Sequence, residues 1–214
     1  MEKLKQLTVE EFIKDLGSNS PAPGGGSVAA LAAALAGASV AMVYSLTVGK
    51  KAYDMLSEDL KKKVDLNLSE GITFYNETLD FMEKDKKVFL ELMDSFKMPK
   101  VTDEEKYLRT KEINKKTYEA MMVPLELSRK AMKFYENIEF AIDYGNKNVV
   151  SDAGVSAIML HSSIESAILN VRINLASLKD ENFKNNILSE INECIKISYN
   201  KKEDIMDRVN LIIG

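Results

Sequence analysis

Apolar residues recur every three or four positions along most of this chain, which is the spacing of one face of an α-helix. One long pattern begins after Ser57 and continues to Met98-Pro99. Further patterns run from Thr102 to about Tyr144, from Ser151 to about Leu178 and from Asn182 to about Leu211. β-Branched residues fall inside these helical periods, so no segment is predicted to be a strand. The pattern predicts one all-α domain over residues 1–214, a bundle of long antiparallel helices.

Capping residues mark where these helices are expected to begin and end. Thr8 to Glu11 form a capping box for a short helix that ends at about Leu16, and Thr102 to Glu105 repeat the motif. The other expected boundaries are Ser57 and Ser151-Asp152 as caps, Gly145-Asn146 as a stop and Pro124 as a kink.

A run of small uncharged residues from 28 to 48, dominated by alanine, predicts a further helix that Ser27 caps and Gly49 closes. Its length would suffice to cross a membrane, but alanine gains little from lipid. A helix buried on every side within the protein is therefore the preferred interpretation. Small side chains let neighbouring helix backbones approach closely, and a helical face of this kind makes dimerisation plausible.

Charge and composition narrow the function classes. The 214 residues include 29 basic and 33 acidic side chains, and the net charge of −4 does not favour nucleic acid as a partner. A single cysteine, Cys194, and a single histidine, His161, argue against an internal disulfide and a histidine-rich metal site. The N-terminal sequence MEKLKQLTVEEF lacks an apolar signal core, so a cytoplasmic location without membrane attachment is expected.

The loop Asn19–Gly26 carries two prolines and three consecutive glycines, Gly24 to Gly26, directly before the alanine-rich helix. It lacks the spacing of a phosphate-binding loop and has no preceding strand. Glycines without Cβ atoms and the free N–H groups of a helix start would suit a carboxylate or the polar edge of a heterocycle. A tight turn into a crowded helix explains the same residues, and both interpretations stand on this evidence.

The motif S-P-A-P-G-G-G-S-V-A-A-L, residues 20–31, resembles the opening motif of the formiminotransferase-cyclodeaminase C-terminal domain family. Similar stretches follow in order: L-T-V-G-K-K-A-Y at 46–53, Asp85 to Phe89, M-P-K at 98–100, V-P-L at 123–125, Gly145-Asn146, S-D-A-G-V at 151–155 and N-V-x-I-N-L at 170–175. One departure is the pair Lys86-Lys87, where the family prefers small residues beside the aspartate.

The resemblance implies an all-helical homodimer that acts on tetrahydrofolate one-carbon derivatives and binds no metal or other cofactor. The reaction would be that of a 5,10-methenyltetrahydrofolate cyclohydrolase or a 5-formimidoyltetrahydrofolate cyclodeaminase. The chain is expected to act as a lone domain without a preceding transferase domain, which slightly favours the cyclohydrolase. A non-enzymatic helical dimer that binds a small ligand or a protein is the alternative class.

Both reactions need a carboxylate that balances a delocalised N–C–N cation and moves protons. Asp85, with apolar neighbours one turn away, is the candidate catalytic residue. On the residues alone, an exposed aspartate paired with Lys84, Lys86 or Lys87 is the favoured interpretation, and the resemblance reverses that preference. The candidate substrate-binding residues are Gly24, Gly25, Gly26, Ser27, Lys50, Asn146, Asp152 and Asn170.

Several of these candidates also have a structural explanation. Asp152 would stabilise a helix start by about 0.5 kcal/mol through the helix dipole, Asn146 suits a turn, and Lys50 suits a helix end. His161 is expected to be a hydrogen-bonded structural residue, and Cys194 a buried, unreactive thiol.

Overall fold

The computed structural model describes residues 3–214, which form an all-α domain with no strand among them. The helices are α1 Val9–Leu16, α2 Gly25–Ser45, α3 Lys51–Asp54, α4 Glu58–Phe96, α5 Asp103–Tyr144, α6 Val150–Leu175 and α7 Glu181–Ile213. Short 3-10 turns lie at Leu4–Gln6 and Lys147–Val149. The predicted fold class is confirmed.

Four helices build the bundle. The alanine-rich α2 packs mainly between α4 and α6, and α5 closes the bundle against the same two helices; α7 covers α6 and part of α5. Two serine hydroxyls of α6 donate to backbone carbonyls of α2: Ser156 to Ala36 and Ser163 to Ala29, each at 2.7 Å. The order of these partners shows that α2 and α6 are antiparallel.

The capping predictions hold for three helices. Thr8 and Thr102 each form a complete capping box, and the Ser57 hydroxyl accepts from the backbone N–H of Leu60. Gly145 ends α5 as expected, with Pro124 inside the helix.

Three predicted boundaries are wrong. The cap of α2 is Gly24, so Ser27 lies in the first helical turn. The same helix ends at Ser45, and Gly49 with its positive φ of 71° lies in the turn beyond. Helix α6 begins at Val150, because the 3-10 turn capped by Asn146 runs directly into it; Ser151-Asp152 therefore lie in its first turn.

Helix α2 is not buried on every side, which corrects the sequence-based expectation. Its mean hydropathy and its 21 residues would allow a membrane span, but 67% of its apolar window is buried by the other helices. An exposed apolar stripe remains on one side, with Leu35, Met42 and Leu46 between 38% and 48% exposed. A core helix with one uncovered face accounts for this pattern.

The small residues of α2 allow an unusually close crossing with α4. A Cβ placed on Gly37 would lie 2.8 Å from the Phe74 ring and 3.2 Å from the backbone N of Tyr75. On the facing helix, a Cβ placed on Gly71 would lie 3.3 Å from the Cβ of Ala41. The Phe74 ring cannot move aside easily, because it stacks on Phe134 with ring centroids 3.8 Å apart.

Gly37→Ala is expected to destabilise the protein by about 1–3 kcal/mol, although glycine-to-alanine changes inside helices ordinarily stabilise. Gly154→Ala in α6 is the matched control, because its added Cβ would meet Met206 and Val209 at an ordinary 3.4 Å. Urea denaturation of the two variants measures the difference. Equal or greater stability of Gly37→Ala would show that the crossing is looser than described.

Candidate functional site

The carboxylate of Asp85 lies against the start of α2. The Ser27 hydroxyl donates to Asp85 Oδ2 at 2.9 Å, and it also approaches the Met82 carbonyl at 3.4 Å. Ser27 is fully buried, whereas Asp85 is half-buried. The two residues are 58 positions apart in the chain, so the contact depends on the packing of α2 against α4.

Only glycine fits at position 26 with Asp85 in this place. A Cβ on Gly26 would overlap Asp85 Oδ1 and lie 2.5 Å from its carboxyl carbon. At Gly24, by contrast, an added Cβ would meet nothing within 4 Å. Of the three consecutive glycines, Gly26 is therefore the one at which the contact with Asp85 leaves no room for a side chain.

Burial raises the pKa of Asp85 above its ordinary value. Hydrogen bonds from the Ser27 hydroxyl and backbone N–H oppose that rise because they stabilise the carboxylate. The first intrahelical bond of α2 runs from the Val28 N–H to the Gly24 carbonyl, so the three earlier N–H groups lie outside the helical ladder. The carboxylate therefore sits at the positive end of a helix dipole in a partly desolvated place.

The interpretation of Asp85 as an exposed residue paired with a neighbouring lysine is wrong. Within residues 3–214, Lys84 lies over the Phe81 ring at 4.5 Å and Lys87 faces Glu91 at 3.9 Å. The carboxylate bonds to Ser27 instead.

Asn170 joins the same end of the bundle from α6. A Cβ on Gly25 would lie 3.2 Å from Asn170 Nδ2, which donates to the Ser166 carbonyl at 2.8 Å. The side-chain amide of Asn170 thus borders the backbone at Gly25, one residue before the glycine that Asp85 contacts. One chain therefore brings together a carboxylate, an amide and a stretch of bare backbone.

The remaining candidates lie at the other end of α2. Asn146 bonds there to Leu46 and Thr47, Lys50 follows that helix end, and Asp152 is in the first turn of the antiparallel α6. A helix of 21 residues is about 30 Å long. A single chain therefore does not place Lys50, Asn146 and Asp152 beside Asp85, contrary to the idea of one common site.

Other polar groups have structural partners. His161 Nδ1 and the Tyr135 hydroxyl each lie 2.8 Å from the hydroxyl of the fully buried Ser198, and desolvation lowers the pKa of His161. Burial raises the pKa of Cys194 to about 11, which keeps the thiol protonated. The hydrogen bond agrees with the structural role expected for His161, whereas Cys194 is half-buried and not buried as expected.

The pairing of Ser27 with Asp85 was not predicted. The sequence around Ser27 suggested a helix cap, and nothing local links it to a residue on another helix. A run of glycines followed by a small polar residue indicates only that something approaches closely, not which side chain does so.

Comparison with known proteins assigns the chain to a family. The family model of formiminotransferase-cyclodeaminase matches residues 8–193. A methenyltetrahydrofolate cyclohydrolase from Methylorubrum extorquens is 38% identical over 185 residues, which cover 86% of this chain and 86% of that protein.

Two further relatives extend the likeness. A formimidoyltransferase-cyclodeaminase from Rattus norvegicus is 30% identical over 86% of this chain, but the match spans only 33% of that longer protein. The crystal structure of a formiminotetrahydrofolate cyclodeaminase from Thermotoga maritima superposes with a TM-score of 0.85 at 26% identity, covering 99% of this chain and all of the other. The motif resemblance is thereby confirmed, and the chain belongs to the formiminotransferase-cyclodeaminase family.

Proposed function

We propose that this protein hydrolyses 5,10-methenyltetrahydrofolate to 10-formyltetrahydrofolate, with Asp85 as the acid–base group. The named activities of its relatives support a folate one-carbon enzyme, and the 38% identical cyclohydrolase matches over similar shares of both chains. The single observation that carries the proposal is the half-buried Asp85 carboxylate at the glycine start of α2.

The substrate carries a delocalised positive charge on N5, the bridging carbon and N10. A carboxylate beside that carbon stabilises the cation and can accept a proton from the attacking water. The resulting tetrahedral carbon loses its bond to N5, which takes up a proton, and the formyl group stays on N10. Overall one water is consumed and one proton is released, without a redox step.

Asp85 suits the role of base because its pKa is raised toward the working pH. A stronger base accepts the proton of water more readily, while the Ser27 hydroxyl fixes which oxygen remains free. Asn170 and the backbone at Gly25 provide neutral polar groups for the pterin edge. Neither group carries a charge that would repel the cationic substrate.

Cyclodeamination of 5-formimidoyltetrahydrofolate is the second candidate, because the Thermotoga maritima neighbour carries that name. There N10 attacks the same carbon, and ammonia leaves after protonation. A carboxylate with a raised pKa would supply that proton, so the same residue would serve as acid. The non-enzymatic alternative offers no reason to bury a carboxylate against a helix start.

A homodimer is part of this proposal. The adjacent α6 also exposes apolar side chains, namely Val155, Ile158, Leu169 and Ile173, each at least 42% exposed. A second copy packed antiparallel along this face would bury both stripes. Asp85 would then be approached by the partner subunit's Lys50, the partner subunit's Asn146 and the partner subunit's Asp152. The dimer would thus bring together candidate residues that lie at opposite ends of α2 within one chain.

Asp85→Asn is expected to lower turnover by at least about tenfold with whichever of the two substrates the wild type uses. Absorbance of the methenyl chromophore follows both reactions. Asp94→Asn is the control, because Asp94 is an exposed aspartate of the same helix paired with Lys97.

The variant should remain folded, with a melting temperature equal to or above that of the wild type at neutral pH. Because the pKa of Asp85 is higher in the folded than in the unfolded protein, ionisation of Asp85 destabilises the native state. The stability that protonated Asp85 contributes is lost as pH rises through the folded-state pKa. Unchanged turnover in Asp85→Asn would assign the chemistry to another residue. Wild-type protein inactive on both substrates would refute the proposed function.

Leu35→Glu should dissociate the dimer, because it places a charge at the most exposed of the three apolar residues of the α2 stripe. Leu211→Glu is the control: Leu211 is 85% exposed on α7, away from α2. Light scattering after size-exclusion chromatography gives the mass. A monomeric wild type, or a Leu35→Glu variant that stays dimeric, would exclude this interface.

A further inference from the structure

A cavity of about 330 Å³ lies next to the Asp85 contact, on the side of α4 that faces the N-terminal segment. Its apolar walls are formed by Leu4, Leu7, Pro21, Ala22 and Leu90. This volume is at the lower end of the range of about 300–1,000 Å³ typical of small-molecule sites.

Two residues of opposite charge line this cavity and do not form an ion pair with each other. Lys86 and Asp15 are both half-buried in its walls, yet neither forms an ion pair with any group in residues 3–214. An ammonium and a carboxylate left apart in one cavity suit a ligand that has both an anionic group and an N–H donor.

The groove on the other side of α4 is electrostatically different. There Lys87 faces Glu91 at 3.9 Å, and Lys116 bonds to Glu91 at 2.6 Å and to Glu119 at 2.9 Å. Lysines with acidic partners of this kind have little remaining attraction for an anion. Of the lysines beside Asp85, Lys86 is the one that lines this cavity, since Lys84 lies over the Phe81 ring and Lys87 borders the other groove.

The cavity continues the proposed site. Lys86 follows Asp85 directly, with Cα atoms about 3.8 Å apart and side chains about 100° apart around the helix. The loop residues Pro21 and Ala22 that line the cavity lead into Gly24 to Gly26, which border Asp85. A ligand that extends from the carboxylate along this loop therefore enters the cavity.

We propose that this cavity holds the p-aminobenzoyl-glutamate end of the folate substrate, with Lys86 bound to the α-carboxylate of the glutamate. The inference rests on the proposed function. The aromatic ring lies between the apolar walls, and the glutamate amide N–H is directed to Asp15.

The test combines a truncated substrate with a truncated side chain. Substrates are 5,10-methenyltetrahydrofolate and 5,10-methenyltetrahydropteroate, which lacks the glutamate. Lys86→Met keeps the length of the side chain and removes its charge; Lys87→Met is the control on the adjacent exposed residue. We expect Lys86→Met to raise KM about tenfold for the glutamate-bearing substrate and not for the pteroate, with kcat unchanged for both.

A binding measurement separates this inference from the proposed function. Titration calorimetry with p-aminobenzoyl-glutamate should show binding to the wild type and to Lys87→Met, and at least about tenfold weaker binding to Lys86→Met. An active wild type whose Lys86→Met variant shows the same KM for both substrates and unchanged fragment binding would overturn the inference alone. Binding of the fragment by a protein inactive on both folates would support the inference and refute the proposed reaction.

Discussion

The contact between Asp85 and the first turn of α2 is the constraint on which the rest of the site depends. A carboxylate can come this close to a helix start only because Gly26 has no side chain, and it stays there because Ser27 donates to it. Taking this charge out of water has a free-energy cost, which appears as a raised pKa. In the proposed reaction, the raised pKa would make Asp85 a stronger base than an exposed aspartate.

Close packing of small residues makes that contact possible. The crossing of α2 with α4 at Gly37 and Gly71 fixes the separation of the two helices, and the serine hydroxyls of α6 fix α2 from the other side. A larger residue at the crossing would move the start of α2 relative to Asp85. The small residues of α2 thus determine how closely its first turn approaches Asp85.

Periodicity and capping motifs predicted the six longer helices but not the short α3 or every boundary. These signals are local: Thr8, Ser57 and Thr102 cap the helices that they precede. Asp85 and the glycine loop were identified through the family motifs, and the structure places them in contact. The Ser27 bond and the cavity beside Lys86 could not be predicted, since each joins segments more than 50 residues apart. The exposed stripe of α2 was missed because an alanine-rich helix has almost no polar face to indicate which side is uncovered.

The pH dependence of kcat/KM in wild type and Ser27→Ala tests the central claim most directly. If ionised Asp85 is the base, activity falls as pH decreases through its raised pKa, and loss of the Ser27 hydroxyl raises that pKa further. The acidic limb should therefore move to higher pH in Ser27→Ala. It should not move in Ser163→Ala, which loses a bond from α6 to Ala29 of α2 but does not touch Asp85. Identical acidic limbs in wild type and Ser27→Ala would contradict the account.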